Sequence, residues 1–318
     1  MIRSASVGAF RALIFLAASS LLASGADRKL YPMDIPAAGV KTITFEVQEG
    51  EFVLRGDPTA QSVSMRVSID RTWVFRLGEE NILKRLIKVS GEGTDHLSII
   101  TDIPHSLANW GRAEYPIDFE VVVPERAVLQ VVDTSGIIRI SDMRAPVDVR
   151  DGSGTLSVVR VQGPVTIVKD SGDIIVERIE GRTRITSHSG QLKLNDLAQL
   201  EIEDSDGNLD VVNVGAARIH NRGGNIKISA VDGLLDIDDE SGEIYIFDAR
   251  HDVKIRDTSG QIRITRAAGS VTIDDTSGNV TVQQASTVAV LQKESGGVNV
   301  SEISGVVQVP PGIELKRR

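Results

Sequence analysis

The sequence predicts an all-β protein: a parallel β-solenoid of about ten 18-residue coils, each with two short strands, preceded by an irregular β-rich N-terminal region. Three observations predict it. A glycine recurs once in every repeat, aliphatic residues occupy fixed positions around that glycine, and polar residues alternate with the aliphatic ones. A period of about 20 residues with turn chemistry once per period is typical of solenoids, in which neighbouring repeats stabilise one another.

The recurring glycines mark one turn of each coil. Most lie in D-x-S-G or a close variant, and the step between them is constant except before and after Gly207, where it is one residue shorter. Glycine adopts positive φ without strain, and Asp and Ser side chains can accept hydrogen bonds from the backbone of a turn. The ten glycines are Gly136, Gly154, Gly172, Gly190, Gly207, Gly224, Gly242, Gly260, Gly278 and Gly296.

Aliphatic residues fill three columns of the aligned repeats, two and four residues after the glycine and five before it. A fourth column, seven before the glycine, is mostly aliphatic. Because alternation with period two indicates strands with one buried face, we expect Ile244 inside the coil and Tyr245 outside. The column five residues before the glycine consists of Val131, Val149, Ile167, Ile185, Ile202, Ile219, Ile237, Ile255, Ile273 and Leu291.

Residues 1–26 are expected to be a secretory signal peptide. Arg3 and Arg11 precede or flank a short apolar run over 12–23, and small residues follow it, so that cleavage after Gly25 or Ala26 is expected. The sequence contains no cysteine, so neither a disulfide nor a lipid-modified cysteine is expected. No later segment is apolar enough to span a bilayer. We therefore expect an exported protein, periplasmic or extracellular, with no membrane span in the mature chain.

Residues 27–124 form the irregular N-terminal region, with strand-like runs at 42–47, 62–69, 96–101 and 117–123 and a short helix over 79–88. Trp73, Trp110 and Tyr115 lie in this region. They are interpreted either as part of a cap on the open end of the solenoid or as a ligand site.

The solenoid is expected over residues 125–310, followed by a charged tail at 311–318. Val307 and Val309 match the interior columns and begin an eleventh coil. Pro310 and Pro311 lack backbone donors and are expected to stop that coil.

The acidic column three residues before the glycine has two interpretations. Side-chain capping of the turn is favoured, and calcium binding is the weaker alternative, with Asp239, Asp257 and Asp275 as stacked candidates. The tandem G-G-x-G-x-D of calcium-binding repeats does not occur, and the column is interrupted by Lys169, Ser187, Asn221 and Lys293. No cofactor is expected.

The net charge of −9, from 35 basic and 44 acidic residues, argues against non-specific binding of nucleic acid. Outward residues of the repeat, among them Lys227, Tyr245 and Arg263, are candidates for binding a ligand on a flat solenoid face. No motif for a catalytic nucleophile or a metal-dependent hydrolase occurs in the sequence.

The leader, the V-V-V-P at 121–124 and ten repeats of D-x-S-G-x-[IVL]-x-[IV] or a close variant resemble the bacterial putative-adhesin β-strand-repeat family, a domain of unknown function. The resemblance covers about residues 40–310. It implies an exported, envelope-associated β-solenoid and supplies no catalytic residues.

The leading hypothesis is therefore a non-enzymatic exported solenoid that binds an envelope protein or glycan. A polysaccharide-acting parallel β-helix enzyme, a lyase or hydrolase with its site near Trp73 and Trp110, is the alternative. It is disfavoured because no coil between residues 129 and 303 is long enough to build the walls of a cleft. A passive spacer is a third possibility. The oligomeric state is left open.

Overall fold

The structure is a computed structural model that describes residues 28–71, 74–75, 82–102, 117–204 and 206–317. The N-terminal region contains β1 (Arg28–Pro36), β2 (Thr42–Val47), β3 (Glu51–Asp57), β4 (Ser62–Asp70), α1 (Ile82–Leu86), β5 (Ile87–Ser90), β6 (His96–Thr101) and β7 (Ile117–Pro124). The repeat contains β8 (Val128–Met143), β9 (Val147–Val161), β10 (Val165–Lys169), β11 (Ile174–Ser187), β12 (Gln191–Asp204), β13 (Asn208–Asn221), β14 (Ile226–Val231), β15 (Leu235–Ala249), β16 (Val253–Gln292), β17 (Val298–Ile303), β18 (Val307–Gln308) and β19 (Leu315–Arg317).

The repeat is a parallel β-solenoid, as predicted. Each residue pairs with the residue one coil further along the chain, so that Val131 pairs with Val149 and Ile237 with Ile255. Where the glycine step is one residue shorter the pairing shortens with it, as in Leu192 with Leu209. Like positions therefore stack along the axis at the strand spacing of about 4.8 Å.

The aliphatic columns form the core, and Ile244 is fully buried as predicted. The structure adds an apolar column that period-two alternation did not reveal, seven residues after the glycine. Its buried members are Met143, Val161, Ile179, Leu197, Val214, Val231, Ala249, Ala267 and Ala285.

A corner residue just before this column explains why alternation missed it. Six residues after the glycine, every coil has a non-glycine residue with φ between 53° and 62°. This left-handed residue turns the chain, so positions five and six both point outward and position seven points in again. The corner residues are Asp142, Arg160, Arg178, Asp196, Asn213, Ala230, Asp248, Arg266, Gln284 and Glu302.

The assignment of Leu291 to the interior is wrong. Leu291 is 59% exposed, whereas Val288 and Val290 are each 1% exposed and take its place in the core. Val288 pairs with Val307, one residue beyond the regular step of the coil. A one-residue slip in pairing turns every side chain of a strand to the opposite face. Here the slip is confined to a half-coil, since Lys293, two residues after Leu291, is buried at its expected position.

The irregularity of the N-terminal region lies in the order in which its segments stack. Strands β2 and β3 form a coil that lies between β8 on one side and β6 with β7 on the other. Gly50 continues the glycine column of the repeat. A Cβ on Gly136 would lie 2.3 Å from the carbonyl oxygen of Gly50.

Antiparallel strands cover this end of the solenoid. β5 pairs with β6, β4 pairs with β7, and β1 pairs with β4 at the outer edge. Because the pairing is antiparallel, the stacking of parallel coils ends here. The predicted helix over 79–88 is observed in part, as α1, and residues 87–88 belong to β5.

The expectation that Pro310 and Pro311 stop the solenoid is wrong. The chain passes both prolines, and β19 pairs in parallel with β17, Leu315 with Val298. Val307, Val309, Ile313 and Leu315 pack against the core while remaining partly exposed. The segment expected to be a charged tail thus contributes a strand to an eleventh coil.

Candidate functional site

The predicted binding residues Lys227, Tyr245 and Arg263 lie in one row across three consecutive coils. Lys227 pairs with Tyr245, and Tyr245 pairs with Arg263. The buried isoleucines on either side of each one turn these three side chains outward. We call this surface the aromatic face and define it by Lys193, Asp210, Lys227, Tyr245, Phe247 and Arg263.

Aromatic residues are concentrated on this face. Between residues 128 and 303 the sequence has two aromatic residues, Tyr245 and Phe247. Both point outward from the same strand, and Phe247 is 43% exposed. The phenylalanines Phe45, Phe52 and Phe119, in contrast, pack together inside the N-terminal coils. Sequence reasoning selected Tyr245 and missed Phe247, although its position two residues further along the strand carried the same signal.

The corner beside the face holds Phe247 in place. The Arg266 guanidinium lies 3.9 Å from the centre of the Phe247 ring, and its Nη2 is 2.6 Å from Asp248 Oδ2. The hydrogen bond from Arg266 lowers the pKa of Asp248 below its ordinary value. A cation held over an aromatic ring in this way contributes a modest stabilisation at an exposed site.

Tyr245 has a fixed hydroxyl. It donates a hydrogen bond to the carboxylate of Glu243, and this bond raises the pKa of Tyr245. Tyr245 occupies the row position between Lys227 and Arg263.

The basic residues of this face are unpaired. In the described part of the chain, Lys193, Lys227 and Arg263 make no ion pair, although all three are exposed. Arginines on the outward side of the other half-coil do have acidic partners: Arg184 with Glu201 at 2.9 Å, Arg218 with Asp236 at 3.3 Å and Arg256 with Asp238 at 3.2 Å. The aromatic face thus carries positive charge that is not engaged in a direct ion pair.

A shallow groove of about 480 Å³ runs along the corner next to the face. It lies where the buried column seven residues after the glycine consists of alanines, and its lining combines small residues with longer polar ones. The lining residues are Ala230, Asp248, Ala249, Arg250, Arg266, Ala267, Ala268 and Gln284. A second groove, of about 580 Å³, lies along the same corner nearer the N-terminus, where Arg160 is paired with Asp142 and Arg144 with Glu125.

The other predicted ligand residues, Trp73, Trp110 and Tyr115, lie outside the described residues. Phe75, two residues after Trp73 in the sequence, is described and is 90% exposed.

The acidic column three residues before the glycine is buried inside the rod. Its members are at most 7% exposed. The turn capping expected from the sequence is present at Asp133, which accepts from the Thr134 N–H at 2.9 Å, and at Asp257, which accepts from the Ser259 N–H at 3.2 Å. The whole column, which we call the polar ladder, consists of Asp133, Asp151, Lys169, Ser187, Asp204, Asn221, Asp239, Asp257, Asp275 and Lys293.

Contacts between neighbouring coils partly neutralise the polar ladder. The Lys169 ammonium donates to Asp151 and the Lys293 ammonium to Asp275, and all four side chains are fully buried or nearly so. Asn221 Nδ2 donates to Asp239 Oδ1 at 2.8 Å. Among the residues that the structure describes, no group of three or more acidic or histidine side chains is arranged to hold a metal ion. Asp239, Asp257 and Asp275 are stacked in consecutive coils, as predicted, and their side chains face the interior of the solenoid.

None of the helices in the described ranges is both long and apolar enough to cross a membrane.

Comparison with known proteins identifies a family for part of the chain. Residues 182–309, 128 of the 318 residues, match the model of a family described as Toastrack DUF4097. This match confirms that the repeat resembles a family of domains of unknown function. No curated protein matches the chain.

Several solved structures are similar to this chain at low identity. A putative lipid binding protein from Parabacteroides distasonis is 18% identical with a TM-score of 0.39, over 89% of this chain and 97% of that one. A putative cell adhesion protein from Clostridium sporogenes is 11% identical with a TM-score of 0.38, over 69% and 99%. A putative adhesin from Bacteroides fragilis is 12% identical with a TM-score of 0.30, over 88% and 97%.

Proposed function

We propose that this chain, whose residues 182–309 match the Toastrack family, is an exported, non-enzymatic binding protein that holds an acidic glycan of the cell envelope on its aromatic face. One observation carries the proposal. The two aromatic residues of the repeat, Tyr245 and Phe247, both lie on the outer surface, next to basic side chains that have no acidic partner.

The exposed aromatic residues support binding rather than a purely structural role. Apart from the polar ladder, the described hydrophobic core of the repeat consists of aliphatic residues and one methionine, so its packing uses no aromatic side chain. Exposing a large ring to water gives up the stabilisation that burial would provide. Aromatic residues and arginine are, in turn, enriched where binding energy is concentrated.

The unpaired basic residues favour an anionic ligand. Lys227 and Arg263 lie two coils apart, about 10 Å along the axis, with the Tyr245 ring between them. A polymer that alternates flat ring faces with carboxylates matches this arrangement, because pyranose C–H faces pack on aromatic rings while carboxylates pair with ammonium and guanidinium groups. An acidic polysaccharide has this chemistry.

The flat shape of the face favours a long ligand. A stable interface usually needs about 800 Å² from each partner, which one strand cannot supply and which several adjacent coils can. Lys193, Asp210, Lys227, Tyr245 and Arg263 occupy five successive coils in one row. A polymer lying along the solenoid axis would reach all five, with its carboxylates at the basic residues and its hydroxyl groups donating to Asp210.

Export and the lack of catalysis are further parts of the proposal. Export is supported by the leader-like composition of residues 1–26, and the non-enzymatic role by uniformly short coils that build no deep cleft beside the aromatic face. Release of oligosaccharides from a polysaccharide by the purified protein would contradict the non-enzymatic role.

The test is a titration of the purified protein with polygalacturonate, an acidic polysaccharide, and with dextran, a neutral one. We expect binding of polygalacturonate that weakens as salt rises, because the charges lie at an exposed surface. A Tyr245→Ala/Phe247→Ala variant should lose at least about tenfold in affinity, or about 1.4 kcal/mol.

The matched control is Val168→Ala, which removes an exposed apolar side chain from the other half-coil. It should bind as the unmodified protein does. Equal affinity of the aromatic variant and the control would refute the aromatic face as the binding surface. Capture of an envelope protein that depends on Tyr245, with no binding of either polysaccharide, would keep the face and refute the glycan.

A further inference from the structure

We propose that Asp239, Asp257 and Asp275 form a proton-binding site inside the solenoid: the folded protein holds a proton between these stacked carboxyl groups near neutral pH, and losing it destabilises the coils around them. This proposal is independent of the proposed function, since it concerns residues that no ligand on the surface can reach.

The three carboxyl groups lie one above another in consecutive coils. Asp239 pairs in register with Asp257, and Asp275 follows one coil later in the same continuous strand. Their exposures are 2%, 5% and 0%. Successive carboxyl groups are therefore separated by one strand spacing, about 4.8 Å at the backbone, with no bulk water between them.

Each of the three carboxyl groups has one oxygen that is bonded and one that is not. Asp239 Oδ1 accepts from Asn221, Asp257 Oδ1 from the Ser259 N–H, and Asp275 Oδ2 from Lys293. The buried atoms Asp239 Oδ2, Asp257 Oδ2 and Asp275 Oδ1 accept no hydrogen bond within the described structure. Leaving buried polar atoms unpaired is costly, and a carboxylic acid O–H on Asp257 would supply a donor for a neighbouring oxygen.

The charges around the stack do not balance. Lys293, next to Asp275, is the one cation of the column in this stretch, and it serves three carboxyl groups. At the other end Asn221 is neutral, and Glu240 beside Asp239 adds negative charge. Ile237, Ile255 and Ile262, buried in the same coils, bring no charge. Two buried negative charges would therefore remain uncompensated if all three groups were ionised.

Burial and the neighbouring carboxylates act in the same direction on the middle residue. Burial, followed by the charges of Asp239 and Asp275, raises the pKa of Asp257 to about 7. Burial also raises the pKa of Asp239 to about 6, against the opposing effect of its hydrogen bond from Asn221. A proton shared within the stack fits both the geometry and these shifts.

The sign of the pH effect follows from linkage. Between the ordinary aspartate value of 3.8 and about 7, the folded chain holds a proton that the unfolded chain has released. Stability is therefore greatest toward the acidic end of this window, falls as pH rises through it, and becomes independent of this group above about 7. This is the reverse of the usual behaviour of a paired surface carboxylate.

Asp257→Asn isolates the stack from ladder members in other coils: burial raises the pKa of Asp133 to about 7 and also raises the pKa of Asp151. Asparagine is compatible with this position, because Asn221 occupies the same column two coils earlier. The matched control is Asp274→Asn. It makes the same substitution in the same strand, at the position just before Asp275, where the side chain points outward.

The experiment measures urea unfolding between pH 5 and pH 8.5. For the unmodified protein and for Asp274→Asn, we expect the unfolding midpoint to fall as pH rises. Asp257→Asn should take up about one proton fewer on folding near pH 5.5, so its unfolding equilibrium constant should change about tenfold less per pH unit. It should also be the most stable of the three at pH 8. An identical pH dependence in all three proteins would overturn the proposal.

A second measurement does not depend on a variant that folds. The infrared C=O band of protonated carboxyl groups should be present in the folded unmodified protein at pH 6, where exposed aspartates are ionised. It should disappear between pH 6 and pH 8.5. Because Asp133 contributes to the same band, the band at pH 6 should be weaker in Asp257→Asn than in Asp274→Asn, and equal bands would contradict a proton held in the stack. A folded protein with no such band at pH 6 would refute the proton-binding site.

Discussion

At the scale of single residues, contact between coils restricts the glycine column more than the turn conformation does. Gly260 has φ of 149°, and a Cβ there would lie 1.7 Å from the carbonyl oxygen of Gly242 in the coil below. Gly93 also has a positive φ, 76°, but a Cβ there would meet nothing within 4 Å. A side chain at Gly93 would meet only the cost of a positive φ, whereas one at Gly260 would also clash with the neighbouring coil.

We therefore expect Gly260→Ala to lower the unfolding free energy by at least about 3 kcal/mol, because backbone atoms of two coils must move apart. Gly93→Ala should cost only the strain of a left-handed residue, about 1 kcal/mol. Urea unfolding of both variants measures the difference. Similar losses would mean that conformation alone explains the column.

The residue scale also shows how far the sequence could predict the binding face and the ladder. Because side chains alternate between the two faces of a strand, Ile244 is placed inside and both Tyr245 and Phe247 are placed outside. The same alternation puts the column of Asp257 on the buried side, with the aliphatic residues two and four positions before it. The polar D-x-S-G motif was interpreted as turn capping, and the sequence alone does not show that a lysine or asparagine from a neighbouring coil partners some of these carboxylates.

At the scale of the coil, the corner is the element that the sequence did not predict. No single residue type marks it, since Asp, Arg, Asn, Ala, Gln and Glu all occur there with positive φ. Such a conformation is costly for any residue but glycine, and it is maintained because strand pairing on both sides fixes the path of the chain. The slip at Leu291 was not predicted for a similar reason, because Leu291 is aliphatic and fits the pattern of its column. Only the strand pairing and burial show that Val290 occupies the interior position instead.

The corner leads to an expectation that reverses the usual rule for alanine and glycine. Ala230 has φ of 56°, so Ala230→Gly should relieve strain and leave stability unchanged or raise it by up to about 1 kcal/mol. Ala249→Gly, in the buried column next to the corner, should instead destabilise the protein by removing a packed methyl group. Chemical unfolding of the pair tests this, and a clear loss from Ala230→Gly would show that the corner is not strained.

At the scale of the whole molecule, the sequence predicted the solenoid because its signal repeats ten times, so errors in single coils do not change the result. It could not predict how the N-terminal segments stack, because β2 and β3 are inserted between β7 and β8, which follow each other directly in the sequence. That arrangement depends on long-range pairing, and no local period records it. The same pairing supplies the antiparallel strands that close one end of the rod.

A solenoid with nearly equivalent coils should tolerate the loss of a whole one. Deleting residues 173–190 removes β11 together with its turn, so that Gln191 follows Gly172 as Asp173 does now, and every remaining column stays in register. We expect a folded protein with a single cooperative transition and a thermal midpoint lower by only a few degrees, since one coil and one interface are lost. Deleting residues 173–181 alone should prevent folding, because the halves of a coil carry different columns and unlike half-coils would then be stacked. Circular dichroism melting compares the two variants, and the shorter deletion being the better tolerated would contradict the whole coil as the structural unit. The longer deletion leaves Lys227, Tyr245 and Arg263 on consecutive coils, so binding by the aromatic face should survive it.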